Sequence, residues 1–191
     1  MALGYHLPMQ RRHHYEQAFE EYLRSRRIPY VAVDEARKAL APGGLRLAGN
    51  ADPVPLKSFD FVIYGERGNL LAEIKGRRIG GRIAARNRAR GAGRLESWVT
   101  QDDVEALSTW EGLFGPGFAA AFVFIYWCDE QPAAPLFEEL FEHRGRWYAV
   151  RVVPVAEYAG AMRRRSAKWR TVHLSKADFE RMSRPLCLAS A

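Results

Sequence analysis

Eleven consecutive residues, Phe118 to Cys128, carry no charge. The run is too short to span a bilayer, which takes about 20 residues. It does not alternate apolar with polar residues, so Phe118 to Trp127 reads as a strand buried on both faces. A strand of that kind is expected in a sheet covered on both faces.

The flanking sequence supplies those parts. Tyr15, Phe19, Tyr22 and Leu23 recur at helical spacing within His13–Arg27, and Pro29 ends the segment. Tyr30–Val33 is a short strand, and Asp34 could cap a short helix through Leu40. Residues 41–56 read as loop, and Phe59–Tyr64 and Asn69–Lys75 as two strands joined by the turn Gly65-Glu66-Arg67-Gly68. Gly76–Gly93, rich in Gly and Arg, reads as a long loop. Thr100 and Asp103 form a capping-box pattern ahead of a helix over Gln101–Phe114, with Val104, Leu107, Trp110 and Leu113 on one stripe. Trp147–Val153 and Arg170–Leu174 read as strands, and Pro154–Met162 and Lys176–Met182 as helices. The expected architecture is α/β, a mixed central sheet flanked by helices. A chain of 191 residues, 48% hydrophobic, suits a single domain over 1–191.

The two central strands carry charge where an apolar sheet should not. Side chains alternate faces along a strand. With Tyr64 opposite Asn69, Asp60 falls opposite Glu73, and Lys75 shares their face. Burying a carboxylate without a partner is costly, and two adjacent carboxylates repel unless a proton or cation joins them. A hard divalent cation would satisfy both, with Mg²⁺ taking one or two carboxylates plus water and a substrate phosphate. An ion pair of Lys75 with Asp60 or Glu73 on a solvated face would account for the same spacing.

Asp60, followed after twelve residues by Glu73-Ile74-Lys75, resembles the PD-(D/E)xK nuclease superfamily, which includes restriction endonucleases and Holliday junction resolvases. That family opens with a helix bearing a glutamate, then a strand. Here the match is Tyr15-Glu16-Gln17-Ala18-Phe19-Glu20-Glu21-Tyr22-Leu23 before Ile28–Val33, with Glu16 at the glutamate position and Glu20 its rival. A helix near the site follows Glu-x-Lys in the family, as Gln101–Phe114 does here. The residue before Asp60 is Phe59 where the family name has proline, and the Gly/Arg stretch is longer than a minimal core needs. The resemblance covers residues 14–128 and leaves 140–191 as a C-terminal α/β extension. It implies a restriction endonuclease-like core and metal-dependent hydrolysis of phosphodiester bonds in DNA. Asp60 and Glu73 would bind Mg²⁺ or Mn²⁺, Lys75 would assist the attacking water, and Glu16 would serve as a further ligand or outer acceptor. Many members are dimers, so a homodimer is compatible with it. A catalytically silent nucleic-acid-binding module on the same fold is the alternative.

The charge balance agrees with a polyanionic partner. Net charge is +7, and Arg outnumbers Lys 24 to 5. Arg77, Arg78, Arg82, Arg86, Arg88, Arg90 and Arg94 follow directly on Lys75 and are candidate phosphate contacts. A second cluster, Arg163–Arg170, reads as the basic end of a helix. Trp98 and Trp169 read as core residues in preference to base-stacking ones. No phosphate-cradling Gly-Lys-Ser/Thr motif is present, and no Cys/His spacing suggests structural zinc. The two cysteines and the lack of a secretory segment point to a cytoplasmic protein with no membrane partner.

Overall fold

The computed structural model describes residues 13–33, 56–66, 68–79, 95–128, 131 and 139–186. In chain order they form α1 (His13–Ser25), β1 (Tyr30–Ala32), β2 (Phe61–Gly65), β3 (Gly68–Ile79), β4 (Val99–Thr100), α2 (Gln101–Phe114), β5 (Phe118–Cys128), β6 (Leu140–His143), β7 (Arg146–Pro154), α3 (Val155–Ala161), β8 (Arg163–Ser166), β9 (Thr171–His173) and α4 (Lys176–Met182). Six strands make one sheet in the order β1-β2-β3-β5-β7-β6, and three make a small sheet in the order β4-β9-β8. Within the large sheet only β3 and β5 run parallel. The mixed α/β architecture expected from the sequence is therefore present.

β5 is the central buried strand, and its alternation divides the core in two. Phe122, Phe124 and Tyr126 pack on one face with Val104 and Leu107 of α2, Tyr158 of α3 and Phe179 of α4. Ala121, Val123 and Ile125 pack on the other with Phe19 and Leu23 of α1. Strands β6 and β7 of the C-terminal segment join the same sheet, and α3 and α4 share the core with α2. The small sheet is tied in by the buried Tyr158 hydroxyl, which donates to Ser97 O at 2.7 Å, with Val172 O at 3.3 Å.

Two local readings change. β3 does not stop at Lys75: it pairs with β5 as far as Ile79 opposite Cys128, so Arg77 and Arg78 lie on a strand and not on a loop. The apolar alternation fades there because an arginine stem can cover apolar surface while its head stays polar. Arg163–Ser166 is the edge strand β8, not the end of a helix, and its helix α3 stops at Ala161. Leu140–His143 forms β6, a strand not expected from the sequence. The expected helix over Asp34–Leu40, most of the 41–56 loop and the stretch from 80 to 94 lie outside the described residues.

Candidate active site

The hairpin forms in the expected register, with Tyr64 opposite Asn69 and Phe61 opposite Ala72. Asp60 sits just before β2, where its amide donates to Ala72 O at 3.0 Å. Its carboxylate is fixed across the ladder, Oδ2 accepting from the Ile74 amide at 2.6 Å. Ile74 stands between Glu73 and Lys75 on β3, and the charges of both act on the Asp60 carboxyl. Lys75 Nζ lies 2.8 Å from Glu73 Oε1 and 2.8 Å from Asp103 Oδ2. Asp103 comes from α2, and Lys57 closes the group by pairing with Asp103 and lying 4.0 Å from Glu73.

Asp103 has two tasks. It completes the capping box of α2, its Oδ2 accepting from Thr100 N at 3.0 Å while Thr100 Oγ1 accepts from Asp103 N at 3.1 Å. It also holds two lysines, although the residue is only 3% exposed. Burial alone would raise its pKa, but Lys75, Lys57 and the Thr100 amide hold it at about 2. The sequence carried a signal for this second role. Asp103 is one helical turn before Leu107, on the inward side, where a charge needs a partner. Lys57 carried no such signal.

Asp60 behaves in the opposite way. Burial first, then the neighbouring Glu73 charge, push its carboxyl up to about 7, against the opposing Ile74 amide, with Glu16 adding to the rise and Lys75 countering it. Glu73 is 8% exposed, and burial pushes its carboxyl up against the pull of Lys75. The site therefore holds more negative charge than the protein itself neutralises comfortably.

Helix α1 contributes Glu16 from its first turn, and the Glu16 charge is felt at Asp60. Glu20 is engaged elsewhere, accepting from Tyr30 Oη at 2.7 Å and pairing with Arg24 at 2.5 Å. Between the two glutamates, only Glu16 acts on the hairpin carboxylate. The docking of α1 depends on Gly76, which directly follows Lys75: a Cβ there would run into the Tyr15 ring.

Among the described residues, no group of three or more Asp, Glu, His or Cys side chains could by itself hold a metal ion. Two carboxylates, Asp60 and Glu73, with water and a phosphate would make a donor set of the kind Mg²⁺ accepts.

The arginines behave unequally. Arg77 is directed inward, its guanidinium 4.1 Å from the Trp98 ring centroid, donating to Trp98 O and to Gly76 O at 2.8 Å. Arg78 is exposed and lies over Trp127, 4.5 Å from the ring centroid. Arg82, Arg86, Arg88, Arg90 and Arg94 lie outside the described residues. Trp98 packs between Arg77 and Arg165, but Trp169 is 71% exposed, against the expectation of a core residue.

No protein-family model matches the chain, and no curated protein sequence matches it. One solved structure similar to it is the Holliday junction resolvase Hjc of the archaeal hyperthermophile Archaeoglobus fulgidus. The TM-score is 0.49 at 15% identity, covering 94% of this chain and 99% of that one. Likeness at this level assigns no role to any residue here. No helix among the described residues is long and apolar enough to cross a membrane.

Proposed function

We propose that the chain is a metal-dependent nuclease hydrolysing phosphodiester bonds in DNA, with Asp60 and Glu73 as the metal-holding carboxylates. The observation that carries this reading is the Asp60 carboxyl, bonded to the Ile74 amide beside Glu73 and pushed up to about 7 by burial and by the Glu73 charge. Such a group is costly to a fold unless a cation belongs beside it. Functional sites are where carboxylates are perturbed in this way. The resemblance of Asp60 and Glu73-Ile74-Lys75 to the PD-(D/E)xK pattern supports the same assignment.

Bound Mg²⁺ or Mn²⁺ supplies Lewis acidity toward the phosphate and its attacking water. The chain's own residues do the rest. The Ile74 amide fixes the direction of the Asp60 carboxylate. Glu73 and Asp103 hold the Lys75 ammonium from two sides. An ammonium has three donors, so one stays available to orient water or to meet a phosphate oxygen. Glu16 serves as an outer acceptor or further ligand. Lys57, about half exposed, offers a second cation to an incoming phosphate. The net charge of +7 favours a polyanion, and Arg78 together with the arginines from 82 to 94 is assigned to phosphate contact.

Nicking of supercoiled, single-stranded and branched DNA in Mg²⁺ or Mn²⁺ tests the proposal. Glu73→Gln and Lys75→Ala are each expected to lose roughly 100-fold or more, a size typical of removing a group that stabilises developing charge. Cleavage unchanged in both variants would refute the assignment. Tight DNA binding by the native chain with no cleavage in either metal would mark it as a silent binding module.

A further inference from the structure

The turn joining β8 to β9 has features that core packing does not explain. Trp169 is the most exposed large apolar side chain among the described residues, at 71%. Exposing an indole to water costs free energy, and solvent-facing tryptophans often mark contact sites. The turn is ordered: Arg170 N donates to Ala167 O at 3.3 Å, and Trp169 N to Ser166 Oγ at 3.3 Å. Arg170 adopts φ of 43°, a left-handed conformation uncommon for an arginine.

Its charge is of one sign. Residues 163–171 read RRRSAKWRT and include no acidic residue. Lys168 Nζ stands 5.4 Å from the Trp169 ring centroid, and Arg164 is exposed with no acidic partner among the described residues. A basic edge strand can serve simply to prevent edge-to-edge pairing. That purpose needs the arginines of β8 but not an exposed indole at its tip.

The turn is anchored beside the candidate active site. Gln101 N, at the start of α2, donates to Arg170 O at 2.8 Å, and Arg170 pairs with Asp102 at 3.0 Å. Asp103, the next residue, holds Lys75 at 2.8 Å. Arg170, the residue next to the indole, and the active-site lysine are thus both tied to the first turn of one helix.

We infer that the β8–β9 turn is a stacking platform for unpaired DNA bases, with Trp169 against a base and Arg164 and Lys168 on the flanking phosphates. This inference rests on the nuclease reading and sharpens its substrate class to DNA with a single-stranded segment beside the cut. A duplex keeps its bases stacked on one another and offers the indole no free face. Sequence choice is not expected, because every base has a face on which an indole can stack.

Fluorescence anisotropy in EDTA, with the full chain, separates binding from cleavage. The probes are a labelled single strand, its duplex, and a duplex carrying a single-stranded flap. Trp169→Ala is expected to weaken single-strand and flap binding by about tenfold while leaving duplex binding within about twofold, and Trp169→Phe to restore most of the loss. The double variant Arg164→Ala/Lys168→Ala is expected to weaken binding to all three probes and to flatten the salt dependence. Native circular dichroism should persist, because Trp169 is largely exposed and belongs to neither core cluster of the described residues. Single-strand binding unchanged by Trp169→Ala, equal loss on duplex, or no DNA binding by the native chain would each overturn the inference. A chain that binds through Trp169 but never cuts would refute the nuclease reading alone. A chain that cuts but is indifferent to Trp169 would refute the stacking platform alone.

Discussion

Replacing Asp60 by Asn should stabilise the metal-free protein, and increasingly so as pH rises. The folded carboxyl titrates at about 7 against an ordinary 3.8. Between those values the folded state keeps a proton that the unfolded chain has released, so native stability falls as pH rises through that window. Above it the whole penalty is present. Each pKa unit corresponds to about 1.4 kcal/mol, so the full difference would amount to about 4 kcal/mol. Asp60 keeps some contact with water, which lowers this to about 1–3 kcal/mol. Asn is neutral and retains a side-chain oxygen for the Ile74 amide. The assay is urea unfolding in EDTA of both proteins at about pH 5 and about pH 8. The advantage of Asp60→Asn over the native chain should grow by about 1–2 kcal/mol between the two. Comparing two pH values cancels any constant cost of the amide itself. Saturating Mg²⁺ should reverse the order, stabilising the native chain by about 2.7 kcal/mol at a hundredfold excess over Kd and the variant far less. An advantage that is flat or shrinks with pH would refute the claim that this carboxylate is held against its own charge.

Four further outcomes follow from contacts in and around the site. Asp103→Ala removes a helix cap and leaves Lys75 short of a partner, and should cost about 3 kcal/mol in thermal or urea unfolding, with cleavage falling as well. Because the Asp103 carboxyl is held at about 2, its contribution is fully present above about pH 4 and is lost as pH falls toward 2, so acid unfolding should begin at higher pH in Asp103→Asn. Gly76→Ala should displace Tyr15 and loosen α1, costing about 1–3 kcal/mol and reducing cleavage through Glu16, read by unfolding and nicking together. Tyr158→Phe removes a buried hydroxyl donor and leaves the Ser97 carbonyl without it, costing about 1–2 kcal/mol in the same unfolding assay with cleavage little changed.

The hairpin was legible in the sequence because strand periodicity is rigid. Once Tyr64 faces Asn69, the positions of Asp60, Glu73 and Lys75 relative to one another follow. The two-faced character of β5 was legible for the same reason: a run without alternation has only one way to be buried. Asp103 was legible as a helix cap and as a charge on the inward side of α2, but its partner was not. Its hold on Lys75 depends on how α2 lies across β3, a tertiary placement that no local spacing encodes. Lys57 was hidden in the same way, a single lysine in an irregular stretch. Arg77 and Arg163–Arg165 were misplaced because periodicity is a signal of apolar residues, and arginine stems can line a strand without producing one. Trp169 was read as core because indoles usually are. Its exposure comes from a turn at the end of an edge strand, which no layer of the described residues covers.

The central claim is that Asp60 and Glu73 share a divalent cation. Soaking crystals in Mn²⁺ and collecting at a wavelength where manganese scatters anomalously tests it directly. An anomalous peak between the two carboxylates, absent from Asp60→Asn crystals, is the predicted result. A map with no peak there, with Glu73 still paired to Lys75 and Asp60 still bonded to the Ile74 amide alone, would contradict it.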